Sequence, residues 1–146
     1  TTIPYRIKNI QVEAGDAKEH LRIGWLRSVY SVFHGFSTNC FVDELAYHRG
    51  VDPLQNQLDL IGEVRVLPFD ESFEYNTARL EKVLNTAAKN AGWGKKLAKD
   101  MGWAVDYSLY SYVIQLVEVS VIDGKLTVHH INTCIDCGMV ANMDAI

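Results

Sequence analysis

The stretch YVIQLVEVSVIDGKLTVHHINTC (residues 112–134) decides the fold class. Successive side chains of a strand point to opposite faces, and residues 112–122 follow that alternation. One face would carry Val113, Val117, Val119 and Val121, and the other Tyr112, Ile114, Leu116 and Ile122. Asp123-Gly124 is a strong two-residue hairpin turn, so residues 125–134 form the return strand. We predict an antiparallel meander of about three strands that begins near Trp103.

Two helices are predicted ahead of this meander. Ser37 or Thr38 can cap the first helix, which ends at Arg49-Gly50. Its buried side would carry Phe41, Leu45 and His48, with Val42 and Ala46 beside them. Asp52-Pro53 begins the second helix, because aspartate is a good cap and proline fits the first helical position. Gly62 closes it.

A third helix has the clearest apolar period in the chain. Asn76 or Thr77 caps it, and Gly92 stands at its end. Its apolar residues recur three or four positions apart: Leu80, Val83, Leu84, Ala87, Ala88 and Ala91. Three helices followed by an antiparallel meander predict an α+β domain, with the helices packed on one face of the sheet.

The remaining segments have weaker patterns. Residues 10–14 alternate apolar and polar side chains, which predicts a strand. Residues 21–36 mix aromatic residues, serines and glycines without a period, which is typical of a packed or functional loop. Residues 64–75 contain Pro68 and several acidic residues, and we predict a loop there.

Length and charge narrow the class of protein. The chain has 146 residues, of which 48% are hydrophobic, so it can form one domain with a buried core. A net charge of −4 argues against a nucleic-acid-binding domain, which normally carries a basic face. No apolar run is long enough to cross a membrane, and the N-terminus lacks the pattern of a signal peptide. Because the chain begins with threonine, we expect processing or excision from a longer polypeptide.

The pair Cys134-x-x-Cys137 allows several chemistries. A structural zinc needs about four ligands, and only His129 and His130 are near, on opposite faces of a strand. A thioredoxin-like pair would open a helix, whereas Gly138 follows here. A simple disulfide, or two semi-buried thiols at the end of a strand, are further alternatives. The third cysteine, Cys40, lies on a predicted helix, and the odd count leaves at least one thiol unpaired or bound to metal.

Arg22 and Arg27 flank Gly24-Trp25 in the irregular segment. Their planar guanidinium groups suit a phosphate or a carboxylate, although an arginine stacked on a tryptophan at the surface explains the pattern equally well. No P-loop, dinucleotide fingerprint, nucleophile elbow or H-E-x-x-H motif occurs. From the residues alone, the chain is an α+β domain without a self-sufficient active site.

Six stretches, in order, resemble one enzyme family: IPYRIKNIQVEA, GWLRSV, FVDELAYHRGVDPL, ARLEKVLNTAAKNAGWG, SYVIQLVEVSVIDGKLTVHHI and CIDCGMVANMDAI. They are similar to the large molybdopterin-binding subunit of the xanthine dehydrogenase and aldehyde oxidoreductase family, and most to its isoquinoline 1-oxidoreductase beta-subunit type. The resemblance spans nearly the whole chain. It implies that residues 1–146 are a single domain from inside a larger subunit, because such subunits contain several hundred residues.

The resemblance also implies site residues. Arg27 matches an arginine in a loop that lines the molybdenum site, and Asp136, Cys137, Gly138 and Asn142 match a DCG…NP segment near the cofactor cavity. The glutamate that serves as the base of the family lies outside the matching region, so no catalytic residue and no metal ligand is expected here. Three places depart from the pattern: Met143 replaces the usual proline, residues 102–105 are shortened relative to a glycine-rich strand entry, and residues 29–31 replace a segment where glycine is common.

The implied function is that of a wall of a molybdopterin cavity, in the dinucleotide form of the cofactor, inactive on its own. The whole enzyme would oxidise an aldehyde or an N-heterocycle and pair with an iron–sulfur small subunit. Exposed apolar surfaces would favour self-association. The rival interpretations are a non-catalytic binding or scaffold module and a small redox or zinc protein that uses Cys134 and Cys137. The compartment, cytoplasmic or periplasmic, stays open.

Overall fold

The computed structural model describes residues 3–68, 74–95, 100–108 and 110–146, with only the backbone of Asp100. The elements in chain order are α1 (Ser31–Arg49), α2 (Pro53–Ile61), β1 (Val66–Pro68), β2 (Glu74–Asn76), α3 (Thr77–Ala91), β3 (Asp100–Ser108), β4 (Ser111–Ile122), β5 (Lys125–Asp136) and a short 3-10 turn (Met143–Ala145). Strands β3, β4 and β5 form an antiparallel sheet in that order, and β1 pairs with β2 in a second antiparallel sheet. The predicted α+β class is confirmed.

The hairpin of β4 and β5 turns where the sequence predicts. Asp123 and Gly124 have φ angles of 50° and 74°, so both central residues are left-handed, as a type I′ turn requires. Of the residues predicted to share one face of β4, Tyr112, Ile114 and Leu116 are buried, whereas Ile122 is exposed. The strand β5 runs on to Asp136, two residues beyond the predicted end.

Helices α2 and α3 begin and end as predicted. The carboxylate of Asp52 accepts a hydrogen bond from the backbone N–H of Gln55, and the side-chain oxygen of Asn76 accepts one from Ala78. Each helix ends at its predicted glycine. The apolar side of α3, with Leu80, Val83, Leu84 and Ala87 buried, packs against β4 and β5 and completes the core over the inward face of the sheet.

The predicted start of α1 is wrong. The helix begins at Ser31, six residues before Ser37, and Tyr30 at its N-cap makes no side-chain capping bond. Its buried residues are Ser31, Asn39, Val42 and Ala46, whereas Phe41 is 67% exposed and His48 is also exposed. Packing against β3 extends the helix without a capping side chain, which is a tertiary effect that local propensity does not report.

Two further predictions fail in the irregular parts of the chain. Residues 10–14 form no strand, and Ile10 and Val12 are exposed. Alternation without a neighbouring strand leaves the backbone groups unpaired, so the pattern alone is insufficient. The predicted loop 64–75 contains β1 and β2, while its residues 69–73 lie outside the described residues. Among the described helices, none is long and apolar enough to cross a membrane.

Candidate functional site

The candidate site lies at one end of the three-stranded sheet. The strand register places Tyr107 of β3 beside Tyr112 of β4, and Tyr112 beside Asp136 of β5. Asp136 is therefore at the point where β5 leaves the sheet, on the face that α3 covers. Three of the residues implied by the resemblance, Asp136, Cys137 and Gly138, form the turn that follows; we call residues 136–138 the DCG turn.

Arg79 of α3 holds the DCG turn against the helix. Its Nη2 lies 2.7 Å from Oδ1 of Asp136 and its Nε lies 3.1 Å from Oδ2, a fork-to-fork pair. Nη2 also donates to the backbone carbonyl of Asp136 at 3.2 Å. The guanidinium carbon lies 4.6 Å from the ring centroid of Tyr112, within the range of a cation–π contact. The hydroxyl of Tyr112 in turn accepts a hydrogen bond of 2.6 Å from the backbone N–H of Asn76.

The electrostatics follow from these contacts. Hydrogen bonding to Arg79 lowers the pKa of Asp136, and the same contact raises the pKa of Arg79. Burial raises the pKa of the Cys134 thiol, and the charge of Asp136 adds to that effect. Cys134 is therefore biased towards the neutral thiol, which is the opposite of what a reactive thiolate requires.

The DCG turn has a defined backbone. Oδ1 of Asp136 accepts a hydrogen bond of 3.0 Å from the backbone N–H of Gly138. Gly138 has a φ of 81°, a left-handed conformation that favours glycine. Further on, the side-chain oxygen of Asn142 accepts a hydrogen bond of 3.0 Å from the N–H of Asp144 and begins the 3-10 turn. Asn142 thus orders its own turn, where the proline of the family pattern is missing.

Arg27 lies elsewhere in the chain, in a turn at residues 27–30 directly ahead of α1, and its side chain is exposed. Ser28 and Val29 have φ angles of 71° and 46°. A β-branched residue such as valine rarely adopts a positive φ. The backbone here therefore has the shape that glycine favours, at the segment where the resembled family commonly has a glycine.

The beginning of α1, which follows the Arg27 turn in the chain, lies near the end of the sheet that carries the DCG turn. A Cβ added to Gly35, near the start of α1, would lie 3.6 Å from the carboxyl carbon of Asp106. Asp106 is beside Val113, and Val113 is beside Ile135, one residue before Asp136. At this end of the sheet β3 and β5 are two strand spacings apart, or roughly 10 Å, and the beginning of α1 lies beside β3.

Within the described residues, the structure shows neither a disulfide nor a group of side chains suited to the zinc site considered for Cys134 and Cys137. Cys40, Cys134 and Cys137 are free thiols, and no group of three His, Cys, Asp or Glu side chains that could hold a metal occurs within the described ranges. Both His129 and His130 are exposed, so neither faces the core. A β-bulge there leaves His129 without an opposite residue on β4, and its ring nitrogen lies 2.7 Å from the hydroxyl of Ser120.

Sequence reasoning missed Arg79, although its position carries a signal. Arg79 is the third residue of α3, and a cation in the first turn of a helix is unfavourable with respect to the helix dipole. Such a residue calls for a carboxylate partner, here Asp136. Because Asp136 lies 57 residues from Arg79 in the sequence, local patterns could not identify it as the partner.

Comparison with known proteins gives two similar sequences. In an alignment of 138 residues that covers 88% of the chain, it is 28% identical to a membrane-bound, pyrroloquinoline-quinone aldehyde dehydrogenase of Gluconacetobacter polyoxogenes. Over 64 residues, or 44% of the chain, it is 30% identical to one of the subunits of a nicotinate dehydrogenase of Pseudomonas putida. The matches cover 18% and 5% of those proteins, respectively, and no protein-family model or solved structure matches the chain. The chain is thus similar to short parts of two dehydrogenases, in agreement with the predicted class of enzyme.

Proposed function

We propose that the chain is one domain of a larger dehydrogenase-type oxidoreductase, and that it forms part of the wall of a molybdopterin cavity. The observation that carries this proposal is the similarity to an aldehyde dehydrogenase over 88% of the chain. The ordered motifs of the sequence resemble the same class of enzyme. The larger protein would oxidise an aldehyde or an N-heterocycle.

The residues of the candidate site fit such a cofactor in different ways. The guanidinium of Arg27 is exposed and offers donors in the planar fork that matches a phosphate. The carboxylate of Asp136 is already bound by Arg79 and Gly138, so Asp136 shapes the wall and does not contact an anionic cofactor. Cys137 and Asn142 follow on the same wall. The molybdenum–pterin group would supply the redox chemistry, and this chain would supply shape and one positive charge.

Pyrroloquinoline quinone is a second candidate for the cofactor, because the similar aldehyde dehydrogenase of Gluconacetobacter polyoxogenes is named for that quinone. That quinone also carries carboxylates, so an exposed arginine such as Arg27 suits either group. The geometry of the DCG turn does not discriminate between molybdopterin and pyrroloquinoline quinone. Metal analysis of the whole protein distinguishes the two, because only the first cofactor carries molybdenum.

Catalysis would take place outside these 146 residues. The base that activates the reaction would come from another part of the same polypeptide, and electrons would leave through an iron–sulfur small subunit. A chain that forms one wall needs neighbours, and the exposed apolar side chains ahead of α1 are suited to meet them. Trp25, for example, is 95% exposed. The rival function is a non-catalytic scaffold module of the same ancestry.

A pair of matched variants of the full-length encoded protein tests this function. Arg27→Ala removes the proposed cofactor contact, whereas Arg22→Ala removes a neighbouring exposed arginine that the resemblance does not place at the cofactor. We expect Arg27→Ala to lower cofactor content or aldehyde turnover about tenfold or more, the value of a charge-assisted hydrogen bond. Arg22→Ala should stay within about twofold of the wild type. If the two variants behave equally, Arg27 does not contact the cofactor. A wild-type protein that is inactive and contains no cofactor would support the scaffold function instead.

A further inference from the structure

A cavity of about 550 Å³ lies between α1, β3, the start of α3 and the N-terminal segment. Most of its lining is apolar and includes Ile3, Phe41, Leu45, Leu60, Leu80 and Val105. The volume falls within the range of small-molecule sites, roughly 300–1,000 Å³. The cavity is partly open to solvent, so a small ligand can enter it.

One acidic and one basic side chain, those of Asp106 and His34, interrupt the apolar lining. The carboxylate of Asp106 is partly buried, and it accepts a hydrogen bond from the backbone N–H of Tyr107. Within the described residues, Asp106 belongs to neither of the ion pairs that the chain makes. His34, one turn into α1, lies on the same cavity and is exposed. Burial raises the pKa of Asp106 by more than the hydrogen bond from Tyr107 and the charge of His34 lower it.

The absence of a side chain at Gly35 leaves space beside this carboxylate. The nearest atoms to a Cβ at that position would all belong to Asp106, at 3.6 to 3.9 Å. Glycine in the interior of a helix costs about 1 kcal/mol relative to alanine, so Gly35 makes α1 less stable than alanine would. The open space at Gly35 therefore lies directly beside the carboxyl group of Asp106.

Aromatic rings complete the recognition surface. Tyr75 and Tyr107 both line the cavity, with ring centroids 4.7 Å apart in an edge-to-face arrangement. The faces of such rings carry negative potential, and they attract ammonium groups. In the part of the chain that the structure describes, the carboxylate of Asp106 lies outside both ion pairs, beside tyrosines and in an apolar space, which suits a ligand with a positive charge.

We propose that this cavity binds a small organic cation, an apolar or aromatic body with one protonated amine, whose ammonium group pairs with Asp106. The inference is independent of the molybdopterin proposal, because the cavity is formed by the 146-residue chain itself. The amine is held as a ligand, and no bond is made or broken.

Three probes of similar size and different charge test the proposal on the 146-residue chain at neutral pH. They are phenethylamine, phenethyl alcohol and phenylacetate, titrated by NMR chemical-shift perturbation. We expect the amine to bind about tenfold more tightly than the alcohol, and the alcohol more tightly than the acid. The amine and the alcohol should compete for the same site. Equal binding of amine and alcohol, a preference for the acid, or no binding by any probe would overturn the proposal.

Two matched variants test whether Asp106 is the carboxylate that pairs with the ammonium group. Asp106→Asn removes the carboxylate, and we expect the amine to fall to the affinity of the alcohol while alcohol binding is unchanged. Asp144→Asn removes an exposed carboxylate of the C-terminal turn and should leave the ranking of the three probes as in the wild type. Retention of the amine preference in Asp106→Asn would contradict the assignment of the ammonium site. Alcohol binding shows in the same experiment that the variant is folded.

Discussion

The guanidinium of Arg79 and the carboxylate of Asp136 join the first turn of α3 to the end of β5 through two parallel contacts of 2.7 and 3.1 Å. Their side chains are only 31% and 24% exposed, so solvent screens the pair less than it screens a surface ion pair. The pair fixes the backbone that leads into the DCG turn. Its loss should therefore affect both the stability of the domain and the shape of the proposed cavity wall.

Substitution of Arg79 tests this link. We expect Arg79→Met to lower the free energy of unfolding by about 1–3 kcal/mol, the cost of leaving a partly buried charged group without its hydrogen bonds. The Arg6–Glu63 pair is the control, because its side chains are 60% and 83% exposed. Arg6→Met should change the free energy by no more than about 0.5–1 kcal/mol. Urea denaturation measures both, and equal effects would show that the Arg79 pair has no special role.

The stability of the domain should depend on pH through Asp136. Its pKa is lowered in the folded state, so its contribution is present above the unfolded carboxyl pKa of about 4 and is lost as the pH falls through the lower folded value. The stability difference between the wild type and Arg79→Met should thus shrink below about pH 4. Asp106 has a raised pKa, so its effect on stability depends on pH in the opposite direction. That effect is present in both proteins and cancels in the difference between them. A difference that stays constant down to the folded pKa would contradict this attribution.

Gly138 provides a test of the DCG turn alone. We expect Gly138→Ala to cost about 1–2 kcal/mol, because its φ of 81° is left-handed. The added Cβ would meet no atom closer than Nη2 of Arg79 at 3.9 Å, so the cost is due to the backbone and not to a clash. Gly102 of β3 is the matched control, with no atom within 4 Å and no positive φ. Gly102→Ala should be neutral or slightly stabilising in a thermal denaturation experiment.

Asn39 connects α1 to the backbone of β3. Its Nδ2 donates to the carbonyl of Val105 at 2.9 Å, and its Oδ1 accepts from the N–H of Val105 at 3.1 Å. Because both groups of Val105 would be left buried without partners, we expect Asn39→Ala to cost about 2–4 kcal/mol. Asn85→Ala, on the exposed side of α3, should change the stability by less than about 0.5 kcal/mol. A small effect at Asn39 would indicate that water replaces the amide.

Local patterns predicted the elements whose signals lie close together in sequence. The β4–β5 hairpin follows from alternation and from Asp123-Gly124, and α3 follows from its apolar period between Asn76 and Gly92. The start of α1 did not follow, because contacts with β3 extend the helix beyond the apparent cap at Ser37. The alternation of residues 10–14 was misleading, since no strand pairs with them among the described parts of the chain.

The candidate site was predictable only in part. The resemblance supplied Arg27 and the DCG turn, and their roles stay predictions. Neither pattern nor resemblance indicated that Asp136 would be bound by Arg79, because the partners are distant in sequence. The cavity beside Asp106 was also hidden, since its lining comes from the N-terminal segment, helices and strands that meet only in the folded chain.

Metal analysis of the full-length encoded protein tests the central claim most directly. The protein would be purified without chelators, and molybdenum would be quantified per polypeptide alongside extraction of pterin and quinone. We expect close to one molybdenum and one pterin dinucleotide per polypeptide, with no pyrroloquinoline quinone. Stoichiometric quinone without molybdenum, or neither cofactor in an otherwise folded protein, would contradict the proposed cavity wall.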